Sequence, residues 1–80
     1  MKYEVSVQLK PDVLNVESKE ILHSMHAMGY DSVLSLQTYK VFVLDVSPEE
    51  KSPEEVVRNI ASTILTNEVI EKFSFKKLNV

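Results

Sequence analysis

The sequence predicts an α+β domain, in which a split βαββαβ order builds an antiparallel sheet with two helices on one face. Three observations lead to this prediction. Three short segments alternate apolar and polar residues, as half-buried strands do, and a fourth is a short apolar run. Two segments repeat apolar residues at three- and four-residue spacing, as amphipathic helices do. Glycine and proline stand at the boundaries of these segments. With 80 residues and no repeats or linker, the chain is expected to form one domain over residues 1–80.

The first strand and the first helix are predicted in the N-terminal third of the chain. Apolar residues occupy the odd positions from 3 to 9 and polar residues the even ones, which indicates a half-buried strand. Pro11 has no backbone N–H to donate to a strand ladder, so the strand is expected to end before it. The helix starts at Asn15 or Glu17, and Gly29 is suited to a left-handed residue after its end. The apolar residues at helical spacing are Ile21, Leu22, Met25 and Met28.

Two further strands are predicted in the middle of the chain. VLSLQT, residues 33–38, alternates, whereas VFVLDV, residues 41–46, is apolar on both faces until Asp45 and is expected to be central. Only Tyr39 and Lys40 lie between them, a length that suits a two-residue hairpin. The favoured turns need positive φ, for which tyrosine is a poor residue. We therefore expect either local strain or a longer, slipped loop.

The second helix and the last strand are predicted in the C-terminal third. Ser52 is placed as the N-cap and Pro53 at the first helical position, with two glutamates next to the positive end of the helix dipole. The apolar stripe of this helix is Val56, Val57, Ile60, Ala61, Ile64 and Leu65. After Asn67 the alternation resumes in KFSFKKLNV, which predicts the fourth strand. The complete order is that of a ferredoxin-like sheet.

Charge and composition limit the classes of partner. The chain has 9 basic and 12 acidic residues, a formal charge of −3, which argues against nucleic acid as the main partner. The N-terminal segment alternates, unlike the uninterrupted apolar core of a secretory signal, and no apolar run approaches the about 20 residues that cross a bilayer. There is no cysteine, which is compatible with a reducing compartment. We expect a cytoplasmic protein that binds neither membrane nor nucleic acid.

The motifs of common active sites are missing from the sequence. There is no glycine-rich phosphate loop, no cysteine nucleophile and no motif that pairs a serine with a histidine base, so we expect no catalytic residues. Glu20, His23 and His26 follow one another at three-residue spacing, which could supply ligands to one metal ion. Solvated imidazoles on an amphipathic helix explain the same pattern, and no metal or cofactor site is predicted.

A homo-oligomer is expected from the third predicted strand, which is apolar on both faces. An exposed apolar patch usually marks an interface, and small domains gain stability when they associate. The sequence leaves open whether the assembly is a dimer or a tetramer. The residues expected to divide between the core and the subunit contact are Phe42, Leu44, Phe73 and Phe75.

Two stretches of the chain also carry a family resemblance. VQLKPDVLNVESKEILHSMHAMGYDSV contains a leucine-lysine-proline turn, a helix and a glycine-tyrosine stop, and LTNEVIEKFSF follows near the C-terminus, with Lys40 between them. In this order they resemble the PurS family, the small subunit of phosphoribosylformylglycinamidine synthase. The chain departs from the family pattern at Asp12, Ser18 and Tyr39, where glycine is usual, and at Glu68, where proline is frequent.

The resemblance implies a non-catalytic subunit of an ATP-dependent C–N ligase complex of purine biosynthesis. Such a subunit is similar in role to a bridge that holds a glutaminase subunit and a synthetase subunit together, so that ammonia passes between them. ATP, Mg and glutamine would be used by those partner subunits, and this chain would bind no cofactor. Contacts to the partners are expected at the turns around Lys10, Pro11, Lys40 and Asn67, because these are polar or rigid positions without an obvious core role.

A ligand-binding regulatory domain of the ACT type is the alternative function. Such domains use the same order of strands and helices. They usually have a glycine-rich turn after the first strand to admit a small ligand. Here that turn is LKPDVLN, which contains no glycine.

Overall fold

The computed structural model describes residues 1–79 and contains a three-stranded antiparallel sheet with two helices. The elements are β1 (Lys2–Leu9), α1 (Val16–Ala27), β2 (Lys40–Asp45), α2 (Pro53–Ile60) and β3 (Glu71–Leu78). The order of strands in the sheet is β2-β1-β3, and both pairs are antiparallel. The α+β class predicted from the sequence is confirmed.

The central strand is β1, and the prediction of a central position for β2 is wrong. Phe42 and Leu44 of β2 point toward the core, while Val41 and Val43 lie exposed on the other face. The apolar residues on both faces of this strand led to the prediction that it would be buried on both sides. In the described chain β2 is an edge strand, because the segment before it does not fold back to pair with it.

Residues 33–39, which we call the arm, form no ladder within residues 1–79. They include the second predicted strand, and they continue into β2 without a turn or a bend. The predicted hairpin at Tyr39 and Lys40 is therefore absent. Its favoured turns need positive φ, and among residues 1–79 only Gly29 has it, at 94°.

Both ends of α1 follow from local side-chain and backbone chemistry. The Asn15 side chain caps the helix, since its Oδ1 accepts from the backbone N–H of Ser18 at 3.1 Å. At the other end Gly29 takes the left-handed conformation, and the N–H of Tyr30 donates to the carbonyl of Met25 at 2.9 Å. This is the Schellman pattern. The predicted end of the helix is confirmed.

The core lies between α2 and one face of the sheet. Alternate residues of β1 meet one side of α2, and the buried apolar residues are Tyr3, Val5, Val7, Val57 and Ala61. The guanidinium of Arg58 lies 5.2 Å from the centre of the Phe75 ring and covers the edge of this core. The other face of β1 is polar, because residues of a strand point alternately to opposite faces.

The second helix begins at Pro53 as predicted, although the side chain of Ser52 makes no capping hydrogen bond. It ends differently from the prediction. From Ala61 to Leu65 the helix widens into a π-helical turn. A wider turn carries more residues per revolution and rotates the side chains that follow. As a result Ile64, predicted on the buried stripe, is exposed.

Helix α1 lies beside the arm and beyond the end of the sheet. Only Ser18 of this helix is buried. The radius of gyration is 16.2 Å, against about 12 Å for a compact domain of this length. The principal extents of 52 × 30 × 13 Å describe a flat, elongated molecule. No helix within residues 1–79 is long and apolar enough to cross a bilayer.

Candidate partner-binding surface

The antiparallel sheet brings two turns of the chain and the beginning of β2 to one end. Leu9, the last residue of β1, pairs with Glu71, the first residue of β3. Val7 pairs with Lys40, the first residue of β2. The end of β1 and the beginnings of β2 and β3 are therefore neighbours. The predicted contact residues that gather at this end of the sheet are Lys10, Pro11, Lys40 and Asn67.

Glu71 connects the beginning of β2 to the turn that precedes β3. Its Oε2 lies 3.2 Å from the Nζ of Lys40, and its Oε1 accepts from the backbone N–H of Asn67 at 2.8 Å. The side chain of Glu71 is 11% exposed, whereas that of Lys40 is 63% exposed. Sequence reasoning missed Glu71. The only signal was its position four residues after Asn67, and this becomes a contact only once the turn has formed.

The pKa of Glu71 is lowered below its ordinary value of 4.5. The main cause is the backbone N–H of Asn67, which donates to the carboxylate and stabilises its charged form. Partial burial acts in the opposite direction, while the hydrogen bond from Lys40 and its positive charge lower the pKa further. Glu71 is therefore ionised at neutral pH and holds both donors.

The turn before β3 is closed by its own hydrogen bonds. The carbonyl of Asn67 accepts from the N–H groups of Ile70 at 3.1 Å and of Glu71 at 2.7 Å, and its Oδ1 accepts from Val69 N at 3.2 Å. The N–H of Lys10 donates to the carbonyl of Ile70 at 2.8 Å and joins the turn to the end of β1. The candidate surface is thus built on backbone that is already ordered.

An open cleft of about 440 Å³ adjoins this surface, between the end of β1, the beginning of α1 and the arm. Lys10, Pro11, Tyr39 and Lys72 contribute to its walls. The hydroxyl of Tyr39 donates to Oε1 of Gln37 at 2.7 Å, which fixes the ring at the rim.

The four residues predicted for the subunit contact all lie on the core side of the sheet. Phe42 and Phe75 both pair with Val5, whose side chain is buried. Phe42, Leu44, Phe73 and Phe75 are half-buried and pack against the core. None of them points to the outer face, so the expected division between core and contact is not seen. The more exposed apolar side chains belong largely to α1 and its flanks, the arm and the edge of β2.

The two histidines of α1 do not converge on one point. Nε2 of His26 donates to the carbonyl oxygen of Val33 at 2.7 Å, so this imidazole already has a backbone partner. His23 lies on the exposed side of the helix, near Leu14 and Val16. In the part of the chain that the structure describes, no group of three His, Asp or Glu side chains could hold a metal ion.

Comparison with known proteins identifies the family. Residues 2–79 match the family model described as PurS, phosphoribosylformylglycinamidine (FGAM) synthase. The chain belongs to the PurS family. The PurS subunit of Methanocaldococcus jannaschii is 34% identical over 77 residues, which cover 94% of this chain and 92% of the relative. The PurS subunit of Archaeoglobus fulgidus is 35% identical over 74 residues, which cover 89% of this chain and 90% of the relative. The resemblance found in the sequence is confirmed.

Solved PurS structures share the fold. The crystal structure of M. jannaschii PurS, described as one of the subunits of formylglycinamide ribonucleotide amidotransferase in the purine biosynthetic pathway, matches with a TM-score of 0.85 and 31% identity, covering 94% and 92% of the two chains. Bacillus subtilis PurS matches with a TM-score of 0.84 and 27% identity, covering 94% of each chain. A chain in the structure of PurLQS from Thermotoga maritima has the same fold, with a TM-score of 0.85 and 24% identity. The match covers 96% of this chain and 95% of that chain.

Proposed function

We propose that this chain is the non-catalytic small subunit of an FGAM synthase complex and bridges a glutaminase subunit and an ATP-dependent synthetase subunit. The observation that carries the proposal is the match to the PurS family over residues 2–79. The fold shared with a chain of the T. maritima PurLQS structure supports it. A bridge of this kind keeps ammonia from glutamine out of solvent, where it would be protonated and lost as a nucleophile.

The end of the sheet that carries Lys10, Pro11, Lys40 and Asn67 is the proposed contact with the large subunits. Binding costs less entropy when the contact surface is already ordered, and here Glu71 and the hydrogen bonds around Asn67 hold the turns in place. The exposed ammonium of Lys40 is available to an acidic partner group. ATP, Mg and glutamine are used by the partner subunits in this proposal, and the complex is cytoplasmic because its partners consume ATP and glutamine.

The proposal includes a homo-oligomer of this chain, a dimer or a tetramer. Helix α1 has 12 residues and buries only Ser18, and a helix of this length is marginal in water without packing. A second copy would cover the apolar side chains that α1, its flanks and the arm expose, which are Leu14, Val16, Ile21, Met28, Tyr30 and Leu34. Phe42, Leu44, Phe73 and Phe75 would contribute to the contact only through the exposed parts of their side chains.

The test is glutamine-dependent amidine formation by the two large subunits of the same organism, measured with and without this chain. The expected result is that the chain restores the glutamine-dependent reaction. Ammonium salts serve as the control, because the synthetase should use free ammonia without a bridge. Equal rates from glutamine in the presence and absence of the chain would overturn the bridging role. A small-ligand screen for the ACT-type alternative would then follow.

A further inference from the structure

The open cleft beside the candidate surface is positively charged. Lys10 and Lys72 line it, and no acidic residue of the described chain does. The other polar side chains of its walls carry amides or hydroxyls. The whole chain has a formal charge of −3, so this is a basic site on an acidic protein. Its volume of about 440 Å³ lies within the range of about 300–1,000 Å³ that is usual for small-molecule sites. An anion is the class of ligand that such a cleft favours.

The register of the sheet places the two lysines side by side. Gln8 of β1 pairs with Lys72 of β3. Two residues further on, the N–H of Lys10 donates to the carbonyl of Ile70 at 2.8 Å, so the antiparallel arrangement continues to Lys10. Lys10 is therefore the diagonal neighbour of Lys72, and such neighbours are about 7–8 Å apart. Two ammonium groups on flexible stems at this separation can reach oxygens of one anionic group.

The charges of the two lysines are not compensated within the described chain. Neither lysine forms an ion pair in residues 1–79, whereas Lys40 and Lys76 each do. Lys10 is half-buried, and a partly buried charge without a partner is unfavourable. Two like charges close together also repel each other. An anion bound between the lysines would relieve both effects.

The carboxylates closest to competing with such an anion belong to the turn before β3 and to its first residue. Glu68 and Glu71 line a smaller depression together with the two lysines. Glu71 is already engaged by the ammonium of Lys40 and the backbone N–H of Asn67. Glu68 is exposed and forms no ion pair in the described chain. The charge of Glu68 is therefore expected to weaken, but not to block, the binding of an anion.

The walls of the cleft are held by hydrogen bonds that leave both lysines free. Nδ2 of Asn15 donates to Oγ1 of Thr38 at 3.0 Å and joins the start of α1 to the arm. The hydroxyl of Ser18, a residue that is 8% exposed, donates to the carbonyl of Asn15 at 3.2 Å. At the rim, the hydroxyl of Tyr39 donates to Gln37. A ligand meets ordered walls, which lowers the entropy that binding costs.

We propose that this cleft binds the phosphate group of a small molecule, with the ammonium groups of Lys10 and Lys72 as its two positive contacts. A phosphate monoester carries a charge of about −1.5 to −2 near neutral pH, which matches two unpaired lysines. The side-chain amide of Gln8, opposite Lys72 in the sheet, is a further donor. The phosphate is either free or part of a sugar phosphate. This binding is separate from the bridging function and does not depend on it.

The first test is an NMR titration of the isotope-labelled full chain, of 9.1 kDa, with inorganic phosphate near neutral pH. Sodium chloride at the same ionic strength is the reference, because salt alone screens charges. We expect saturable changes in the amide signals of Gln8, Lys10 and Lys72. No comparable change is expected at the other end of the sheet, where Lys2 pairs with Asp45. Changes that do not saturate, or that chloride reproduces, would overturn the proposal.

The second test uses variants with matched charge. Lys10→Gln combined with Lys72→Gln should weaken phosphate binding at least tenfold, because both charge-assisted hydrogen bonds are lost. Lys76→Gln combined with Lys77→Gln removes the same charge from β3 outside the cleft, and should change the affinity less than about twofold. Arginine at both cleft positions keeps the charge and should preserve binding. Equal losses in the two glutamine variants would show general attraction to a basic surface and would overturn the site.

Glu68→Gln gives a result of the opposite sign. It removes the competing carboxylate and leaves both lysines in place, so phosphate should bind about two- to fivefold more tightly. Weaker binding in this variant would contradict the position assigned to the anion. Because the substitution lies in an exposed turn, an amide spectrum that otherwise matches the wild type shows that the fold is kept.

Ribose 5-phosphate and ribose distinguish the sources of the phosphate group. Tighter binding of ribose 5-phosphate than of inorganic phosphate would support the site and assign it to sugar phosphates. Equal affinities would support the site and assign it to free phosphate. Ribose that binds as well as ribose 5-phosphate would overturn the proposal, since the cleft would then not recognise the phosphate. The bridging role is tested separately by the glutamine-dependent reaction, so either result can fail without the other.

Discussion

Lys40 and Glu71 begin the two outer strands of the sheet and form an ion pair across the end of β1, with Nζ 3.2 Å from Oε2. The other carboxylate oxygen of Glu71 accepts from the backbone N–H of Asn67. One largely buried carboxylate therefore fixes the beginning of β2, the beginning of β3 and the turn that precedes β3. The geometry of the proposed contact surface depends on this side chain.

The first prediction concerns the contribution of this carboxylate to stability. Glu71→Gln keeps the shape of the side chain and removes its charge, and we expect the free energy of unfolding in urea to fall by about 1 kcal/mol. The loss is modest because Lys40 is largely exposed. The control is Glu4→Gln, which removes the ion pair of Glu4 with Lys76 on the outer face, where the N to O distance is 3.5 Å. An equal or larger loss in the control would contradict the role given to Glu71.

The second prediction is a pH dependence that follows from the lowered pKa of Glu71. Its folded-state pKa lies below its ordinary value of 4.5, so its contribution to stability is fully present above pH 4.5 and is lost as the pH falls through the folded-state pKa. The stability difference between wild type and Glu71→Gln should be constant near neutral pH and shrink below pH 4.5. Urea unfolding of both proteins from pH 7 to pH 3 measures it. A difference that grows on acidification would exclude this explanation.

The third prediction compares a buried and an exposed valine. Val57 of α2 is 0% exposed, while Val69 in the turn before β3 is 81% exposed. Val57→Ala removes two methyl groups and leaves a cavity between α2 and the sheet, for a loss of about 2 kcal/mol. Val69→Ala should change stability by less than about 0.5 kcal/mol. Chemical unfolding of both variants is the measurement, and similar losses would mean that α2 does not pack on the sheet as described.

The fourth prediction concerns the proposed contact with the large subunits. Combined alanine substitution of Lys10, Pro11, Lys40 and Asn67 should abolish the recovery of this chain with the tagged glutaminase and synthetase subunits in the presence of their ligands. The side chains of Lys10, Lys40 and Asn67 would be lost from the surface, along with the rigidity of Pro11.

Two controls accompany this prediction. Val57→Ala lowers stability from within the core and keeps the four contact residues, so it separates a loss of stability from a loss of contact. Glu54→Ala with Glu55→Ala changes an exposed surface on α2, away from this end of the sheet. Normal recovery of the fourfold variant would show that the large subunits bind elsewhere.

The sequence was sufficient to bring the candidate contact residues to one end of the sheet, but not to give the direction in which the apolar side chains of β2 and β3 point. Lys10, Pro11 and Asn67 belong to turns, and the antiparallel order of strands was sufficient to place those turns at one end of the sheet. Glu71 was missed because its two partners, Lys40 and the N–H of Asn67, reach it only in the folded sheet. Phe42 and Phe75 were expected to include an outward-facing member. Their pairing with Val5 places both on the core side, and that register is set between strands.

By itself the sequence determined the features that depend on neighbouring residues. Asn15, Gly29 and Pro53 set helix ends through caps and backbone preferences, and alternation identified β1 and β3, because these signals act within a few residues. Only the tertiary structure decided that β1 is central and that the arm is left without a partner. Strand pairing joins distant parts of a chain, so the alternation of residues 33–38 predicts an extended backbone but not which strand, in which chain, lies beside it.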